Sequence, residues 1–402
     1  WGNNKERWVR PIKGIICIFD GEVLPVSFAG IIGGNITKGH TFLNSGPISI
    51  KGISDYEEKM RMAKVIISSE ERANIILCSA KALAKQNNLV IKFDQTLLDE
   101  IIGLVEWPVV LMGKIDDQFM SLPPEVLTTT MRNHQKYFIC HNKNGECVNR
   151  FIMVANIITA DKGNAIIAGN ERVLSARLSD ATFFWKKDRS ISLCDRLAAL
   201  NDRVFHAKLG TLKDKVIRIS SIADYLVEKV PGSERESVQA AAQLCKSDLS
   251  TNMVGEFPEL QGVMGRYYAS HDGYPEDICR AIEEHYLPQG PDSACPNRPI
   301  SICLCLADKI DTLVGFFGID EKPTGSKDPF ALRRAALGII RVLIENGIRI
   351  PLSDTLRFSG NLYSEFNDFE SQNDELLRFV LERLKVYWRH AGVRYDFIDA
   401  IF

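Results

Sequence analysis

The pattern of apolar residues changes near residue 170, and this change constrains the fold more than any other feature of the chain. Short β-type runs, such as GIICIF at 14–19 and RFIMVANI at 150–157, alternate with helical patterns in the first part. From about residue 170 onward, apolar residues recur almost everywhere at helical spacing. A domain that combines helices with strands has a different layer architecture from a domain of helices alone. The change in pattern therefore predicts two kinds of domain.

We expect an α+β multidomain fold, because 402 residues exceed what one ordinary core supports. The predicted domains are a mixed α/β module over 1–168, a helical domain over 169–350 and a helical linker over 351–402. A long helical pattern covers 55–86 in the first module, and a helix is predicted to open at Gly169-Asn170-Glu171 with Asn170 as its N-cap. Further helices are predicted at 192–208, 212–230, 235–255, 275–287, 298–316, 329–347 and 374–392.

Charge is distributed unevenly along the chain, although the formal net charge is only −2. Sixteen Lys and Arg residues accompany eight Asp and Glu residues between Arg132 and Arg218, whereas the remainder has 33 against 43. A basic segment of this kind can form a polyanion-binding surface or a solvated surface of mixed charge.

The cysteine content and the hydropathy pattern indicate the cellular compartment in which we expect the protein. Ten cysteines are scattered without a C-x-x-C pair, which excludes zinc-ribbon and thioredoxin-type motifs. Scattered thiols in a large chain indicate a reducing compartment, so we expect a cytoplasmic location. No apolar run approaches the roughly 20 residues that span a bilayer, so no membrane partner is expected. Because the chain begins at Trp1 rather than Met, we expect it to be a piece of a longer protein.

Residues 128–185 carry the strongest functional pattern. The stretch combines cations with aromatic side chains that we expect to be exposed, and these residues are Arg132, Lys136, Tyr137, Phe138, Arg172 and Arg177. Cations bind phosphate and flat rings stack on bases, so the combination is typical of proteins that bind single-stranded or looped RNA. No nucleophile–base pair accompanies them, so we predict no catalytic residue in this chain.

A second group of cations lies on the predicted helix within 327–345. Arg334 and Arg341 are seven residues apart on one face that we expect to be exposed, and Arg333 is adjacent. A row of arginines on a rigid helix suits phosphate contacts. It suits salt bridges with a neighbouring acidic helix equally well, and the sequence leaves both interpretations open.

Histidine and aspartate residues of the helical half offer a competing hypothesis. In chain order they are His206, Asp248, His271, Asp272, His285, Asp308 and Asp311. HD-type phosphohydrolases use a His…His-Asp…Asp order to bind divalent metals that activate water, with His271, Asp272 and Asp308 as candidate ligands here. Because His-Asp is a common dipeptide and such residues often cap helices, we predict no metal site. The glycine-containing segments 31–40 and 315–327 fit neither nucleotide-binding motif, so no cofactor is expected in this chain.

Several long strings taken together resemble the β subunit of bacterial glycyl-tRNA synthetase, essentially from end to end. They are RWVRPIKGI (7–15), TKGHTFL (37–43), LVEWPVVLMGKID (104–116), LPPEVLTTTMRNHQKYF (122–138), GNERVLSARLSDATFFW (169–185), KLGTLKDK (208–215), CKSDLSTNMVGEFPELQGVMGRYY (245–268), LADKIDTLVGFFGI (306–319) and GSKDPFALRRAALGIIR (325–341). RLKVYWRHAGVRYDFIDAIF (383–402) looks like the stretch before that family's anticodon-binding domain. The resemblance therefore indicates a central piece of such a subunit.

The resemblance implies a class II glycine–tRNA ligase of α₂β₂ composition. The α subunit would hold the glycine site and the site for ATP and Mg²⁺, and the partners would be that subunit and tRNA(Gly). It also implies that the first half is similar to the module that the phenylalanyl-tRNA synthetase β chain builds around its editing site. The helical half would have an HD-like fold.

The sequence departs from the HD pattern at its centre. The central His-Asp pair falls at Lys246-Ser247-Asp248, where no histidine remains, so the resemblance does not support metal-dependent phosphohydrolase activity. No editing residues can be matched either. A third hypothesis, a scaffold that holds catalytic subunits together without binding tRNA, stays open.

Overall fold

In the computed structural model, residues 5–10, 12–363 and 369–401 are described, and the chain divides into two compact units. The first unit is Trp1–Thr182 and the second is Phe183–Phe402. The first mixes helices with small sheets and the second is almost entirely helical, which confirms an α+β fold. The predicted domain limit at 168 and the observed limit after Thr182 both fall within one helix, α5 below.

The first unit begins with three short hairpins and continues with a four-stranded sheet. The hairpin strands are β1 (Ile18–Phe19), β2 (Glu22–Val23), β3 (Ser27–Phe28), β4 (Ile31–Ile32), β5 (Ile36–Lys38) and β6 (Pro47–Ser49). The sheet strands are β7 (Val90–Ile91), β8 (Val109–Lys114), β9 (Phe138–His141) and β10 (Cys147–Ala155), in the antiparallel order β7-β9-β10-β8. The helices are α1 (Ile53–Met62), α2 (Ser69–Gln86), α3 (Gln95–Leu104), α4 (Pro124–Thr129) and α5 (Asn164–Asp188).

The core of the first unit lies where α2 and α3 cover the sheet. Ile76 and Ala80 of α2 and Ile101 of α3 pack with Phe138 and Ile152 of the strands, and all five are buried. The apolar residues of α3 recur at helical spacing, so the helix presents one continuous apolar face. The strand predicted at 150–157 is confirmed as β10.

The helix predicted over 55–86 is two helices. α1 ends at Met62, and Lys64 then adopts a left-handed conformation with φ 62°, which interrupts the helical hydrogen bonds. Ser68 begins α2 because its side chain accepts a hydrogen bond from the Glu71 backbone N–H at 3.2 Å. The β-branched segment between them, Val65–Ile67, is a connection rather than helix.

The start predicted for α5 at Gly169 is also wrong. The helix begins at Asn164, and the Asp161 carboxylate accepts hydrogen bonds from the backbone N–H groups of Gly163 at 3.1 Å and Ala165 at 2.7 Å. Asn170 therefore lies inside the helix, where its amide donates to the Ile166 carbonyl. The residue that marks the start of α5 is therefore Asp161, whose carboxylate accepts these two hydrogen bonds at the first turn.

The second unit is a helical assembly around one almost fully buried helix, α11. Its strands are β11 (Val204–His206) and β12 (Gly210–Thr211), and its further helices are α6 (Leu212–Val227), α7 (Arg235–Leu244), α8 (Asn252–Glu256), α9 (Val263–His271), α10 (Glu276–Glu284), α11 (Pro299–Gly318), α12 (Leu332–Glu345), α13 (Leu352–Gly360), α14 (Phe369–His390) and α15 (Tyr395–Ile401). α11 contacts α6, α7, α10, α12, α13 and α14. The segment predicted as a linker therefore supplies two helices, α13 and α14, that pack on this core.

Two helices predicted in the second unit differ from the structure. The segment 192–208 contains a 3₁₀ turn at Asp195–Asp202 followed by β11, and 235–255 contains α7, a 3₁₀ turn at Ser247–Ser250 and α8. The second break occurs at Lys246–Asp248, where buried polar side chains take tertiary partners. No helix in the described ranges combines the length and apolar composition that crossing a membrane requires.

Glycine at position 113 is required by the packing of β8 on β10. A Cβ atom there would lie 2.5 Å from Cζ of the fully buried Phe151 on the paired strand. We expect Gly113→Ala to lower the free energy of unfolding by about 1–3 kcal/mol, because the ring cannot move without disturbing a packed core. Urea denaturation followed by fluorescence measures the effect.

Gly169→Ala is the matched control. Gly169 lies inside α5 and a Cβ atom there meets nothing within 4 Å, so this change should stabilise the helix by about 0.5–1 kcal/mol. Equal stability of the two variants would contradict the packing argument.

Candidate functional site

The two cations predicted before β9 are held by carboxylates of α3. Arg132 Nε lies 2.5 Å from Asp94 Oδ2, and Lys136 Nζ lies 2.5 Å from Glu100 Oε2. The Arg132 guanidinium lowers the pKa of Asp94 through its hydrogen bond, and Asp94 is the N-cap of α3. Both cations therefore fasten the segment before β9 to α3, although each side chain remains 37% exposed.

The two aromatic residues of this segment are buried, which corrects the prediction that they are exposed. Tyr137 is 4% exposed, its ring stacks on Phe151 with centroids 4.6 Å apart, and its hydroxyl donates to Asn170 Oδ1 at 2.6 Å. Phe138 is buried in the core beneath α3. Neither ring can stack on an RNA base in this structure. Successive side chains here point to opposite sides, and both sides are covered: Phe138 packs beneath α3, and Tyr137 reaches Asn170 of α5. The partners of both rings lie far away in sequence.

Two predicted cations of α5 lie on the surface. Arg172 and Arg177 are exposed, whereas Leu174 and Leu178 of the same helix are buried. Glu171 accepts a hydrogen bond from the Lys114 backbone N–H at 2.7 Å, which connects the helix to the end of β8. A rigid helix thus presents both arginines, as phosphate contacts require.

The arginines of α12 differ in their surroundings. Arg334 is exposed, and Arg333 donates to the Gly325 carbonyl at 2.7 Å. Arg341 is buried, which corrects the prediction of a shared exposed face with Arg334. Its guanidinium donates to Glu345 Oε1 at 2.8 Å and to the Gly290 carbonyl at 3.0 Å. Arg341 therefore forms a salt bridge, but with a residue of its own helix instead of a neighbouring acidic helix.

The candidate metal ligands have other partners. His271 Nδ1 lies 2.9 Å from Arg189 Nη2, and Asp272 Oδ2 accepts a hydrogen bond from the Leu193 backbone N–H at 2.8 Å. Asp308 lies among lysines instead of other carboxylates. Within the described ranges, no three His, Cys, Asp or Glu residues group so as to hold a metal ion. The arrangement does not supply the ligand set that a metal-dependent phosphohydrolase needs.

Asp308 belongs to a group of ionisable side chains inside the second unit, hereafter the buried charge cluster. Its members are Lys215, Arg218, Lys246, Asp248, His285, Asp308, Lys309 and Asp311, each less than 10% exposed. They come from α6, the break before α8, the end of α10, and α11. The sequence pattern includes Lys246, Asp248, His285, Asp308 and Asp311, but it does not indicate Lys215, Arg218 or Lys309.

Ammonium and guanidinium groups bridge the carboxylates of α11. Lys215 Nζ lies 3.1 Å from Asp308 Oδ1 and 2.9 Å from Asp311 Oδ2, and Arg218 Nε lies 2.6 Å from Asp311 Oδ1. Lys246 Nζ lies 3.1 Å from Asp308 Oδ2 and 2.8 Å from His285 Nε2. Lys246 therefore places its charge between a histidine and an aspartate.

Burial and neighbouring charges shift the pKa values of several members of the buried charge cluster. The pKa of Asp308 is well below its usual value, because the surrounding cations, Lys215 first, outweigh the effect of burial. The pKa of His285 is lowered by burial and by Lys246, so the ring is neutral. Burial raises the pKa of Asp248 to about 6, although Gly262 and Gly265 donate backbone hydrogen bonds to it.

A cavity of about 600 Å³ adjoins the cluster. Asp308, Lys309 and Thr312 of α11 form one wall, Phe330 precedes α12, and Arg334 lies in the first turn of α12. Tyr286 lies opposite, and Lys246 Nζ is 4.0 Å from the centre of its ring. The cavity is large enough for a small organic ligand.

Comparison with known proteins decides the family. The family model for the glycyl-tRNA synthetase beta subunit matches residues 1–402. The chain belongs to the glycyl-tRNA synthetase β-subunit family. It is 47% identical over 428 aligned residues to the glycine–tRNA ligase beta subunit of Rhodospirillum centenum, and 45% and 46% identical to those of Dinoroseobacter shibae and Paracoccus denitrificans. The family predicted from the motifs is therefore confirmed.

The matches to the glycyl-tRNA synthetase β subunits cover this whole chain but only part of each relative. The aligned share of the relatives is 60% for Rhodospirillum centenum and Dinoroseobacter shibae and 58% for Paracoccus denitrificans. The chain thus spans about 60% of the length of these relatives.

The raised pKa of Asp248 predicts a pH dependence of stability. The folded state holds the proton up to about pH 6, whereas an unfolded aspartate releases it near pH 3.9. Because the folded state binds more protons in this window, this group lowers stability as the pH rises from about 4 to 6, by about 3 kcal/mol in total. We expect Asp248→Asn to remove this contribution, as measured by urea denaturation at both ends of the window.

The exposed Asp292→Asn serves as the control for the loss of one carboxylate, and it should retain the wild-type pH profile. Parallel pH profiles for wild type and Asp248→Asn would contradict the assigned role of Asp248.

Proposed function

We propose that this chain is the part of a glycine–tRNA ligase β subunit that binds tRNA(Gly) and assembles with the α subunit. The α subunit then holds the glycine site and the site for ATP and Mg²⁺, and two copies of each subunit form an α₂β₂ enzyme in the cytoplasm. The observation that carries the proposal is the family match over residues 1–402, with relatives at 45–47% identity that are named glycine–tRNA ligase beta subunits.

The exposed cations support a role in binding a polyanion. Arg172 and Arg177 project from α5, a helix of 25 residues, so their positions are fixed before binding. Preorganised arginines lose little conformational freedom when they contact phosphate. Arg132 and Lys136 are part-exposed, but a phosphate would have to compete with Asp94 and Glu100 for them. We therefore assign the main contact to α5.

We further propose finer fold assignments for the two units. The first corresponds to the module of the phenylalanyl-tRNA synthetase β chain, and its four-stranded antiparallel sheet with covering helices is the supporting feature. The second is an HD-like domain that has lost its metal, because Lys246 supplies a positive charge next to His285 and Asp308. A fixed ammonium group neutralises the aspartate without providing the activated water that phosphohydrolysis needs.

Charging of tRNA with glycine by defined subunits tests the proposal. We expect the chain alone to form no glycyl-tRNA, because the catalytic site lies in its partner. Adding the α subunit and a β chain extended by an anticodon-binding domain should restore charging, measured with labelled glycine. Glycyl-tRNA formation by the chain alone, or no charging by the α subunit with the extended chain, would refute it.

Substitution of Arg172 tests the α5 surface. We expect Arg172→Glu to weaken tRNA(Gly) binding about tenfold or more at low salt, because one phosphate contact becomes a repulsion. The slope of log K against log salt should fall by about 0.9, the contribution of one released counterion. Fluorescence anisotropy at several salt concentrations measures both quantities.

Lys85→Glu is the matched control, because Lys85 is exposed at the end of α2 and undergoes the same change of charge. It should leave the affinity and the slope near their wild-type values. Equal losses in the two variants would mean that total charge, not the α5 surface, determines binding.

A further inference from the structure

Lys309 is a buried cation that no carboxylate neutralises directly. Its side chain is 8% exposed, and in the described part of the chain no Asp or Glu oxygen lies within 4.0 Å of its Nζ. Its oxygen partners are the carbonyls of His285 at 3.4 Å and Tyr286 at 3.5 Å, longer than ordinary bonds of this type, and the Cys305 side chain is a further hydrogen-bond partner. A buried ammonium group with three donors normally has closer partners.

The other acids nearby are already engaged. Asp308 lies between Lys215 and Lys246, and Asp311 lies between Lys215 and Arg218. At the rim of the cavity, Glu259 has a partner of its own. The nearest ionisable ring, His285, is neutral and cannot balance the charge. An anion in the cavity would supply what Lys309 lacks.

The position of Lys309 is fixed by its packing. A Cβ atom at Gly338 of α12 would lie 2.6 Å from Lys309 Cε and 3.0 Å from its Cδ, so this glycine leaves room for the lysine stem. The stem therefore lies against α12, and the ammonium group is held at the cavity wall. Arg334, on the same helix and exposed, also lines the cavity. Together they offer a buried and a mobile cation to one anionic group, an arrangement that suits phosphate.

The cavity is larger than a phosphate group requires, and its lining includes aromatic and amide side chains as well as cations. About 600 Å³ is available, and the rings of Tyr286 and Phe330 line it together with the exposed amides of Gln261 and Gln289. Aromatic faces stack on nucleobases, and amides bond to base edges as donor and acceptor. We propose that this cavity binds a nucleoside monophosphate group, with its phosphate on Lys309 and Arg334 and its base against the side of Phe330 that Phe316 does not cover.

This inference does not depend on the proposed function. The same chemical group occurs as a free nucleotide and as the terminal nucleotide of an RNA strand, and binding experiments on the chain separate these sources. Inorganic phosphate, the four nucleoside 5′-monophosphates and a short single-stranded RNA are titrated by calorimetry. Mononucleotides that bind while the RNA does not would identify a free nucleotide, and tighter binding of the RNA would identify a strand end. Both outcomes support the site.

Lys309→Met is the decisive variant, since it keeps the stem against Gly338 and removes the charge. We expect its affinity for the best mononucleotide to fall at least about tenfold, as the loss of a charge-assisted hydrogen bond implies. Arg334→Gln should reduce it less, about threefold, because an exposed contact is worth less. Lys186→Met, at an exposed lysine of α5, is the control and should bind as wild type does.

A thermal readout separates ligand binding from a structural role. Bound nucleotide should raise the melting temperature of wild type and leave that of Lys309→Met unchanged, while the unliganded variant should melt no lower than wild type. If Lys309→Met does not fold, Ala335→Glu places a negative charge in the cavity wall and should abolish binding instead. The proposal would be overturned if wild type bound no mononucleotide at millimolar concentration, or if it bound inorganic phosphate more tightly than any mononucleotide. Unchanged mononucleotide affinity in the folded variants would also overturn it.

Discussion

The second unit depends on the neutralisation of two carboxylates that α11 carries into its core. Asp308 and Asp311 are nearly or fully buried, and an isolated charge in such a place would prevent folding. Lys215 and Arg218 of α6 approach Asp311, Lys246 approaches Asp308, and the Tyr363 hydroxyl donates to Asp311 at 2.8 Å. Segments distant in sequence are thus fixed to one helix. Removing a single partner from such a network leaves an unpaired buried charge. The resulting loss of folding stability is larger than the net stability that the ion pair contributes.

The first unit uses its charges differently, and this affects where a polyanion can bind. Arg132 and Lys136 satisfy carboxylates of α3 at the surface, and the neighbouring Tyr137 fills the core. The segment that the sequence predicts to bind RNA therefore mainly stabilises the fold. Arg172 and Arg177 of α5 lie on the surface instead. One basic–aromatic stretch of sequence thus separates into a structural half and a half that faces solvent.

The buried charge cluster of the second unit carries positive charge of its own. Lys246 occupies the position between His285 and Asp308, so a charge that a metal could supply is supplied by the chain itself. The cavity beside the cluster persists, and Lys309 faces it without a carboxylate partner. Positive charge and volume therefore occur together beside the cluster, and both are features of a site for an anionic ligand.

The sequence by itself determined the family, the change from a mixed to a helical architecture, and helices such as α3, α6 and α11. These follow from local periodicity and from motif strings, which depend only on neighbouring residues. The tertiary structure decided that Tyr137 and Arg341 are buried, that α5 starts at Asn164, and that Lys309 lies beside a cavity. Whether a ring is exposed or a cation is neutralised depends on partners far away along the chain, such as Phe151 for Tyr137. Short-range sequence patterns do not indicate which distant residues become partners, because burial and ion pairing arise only when the core is packed.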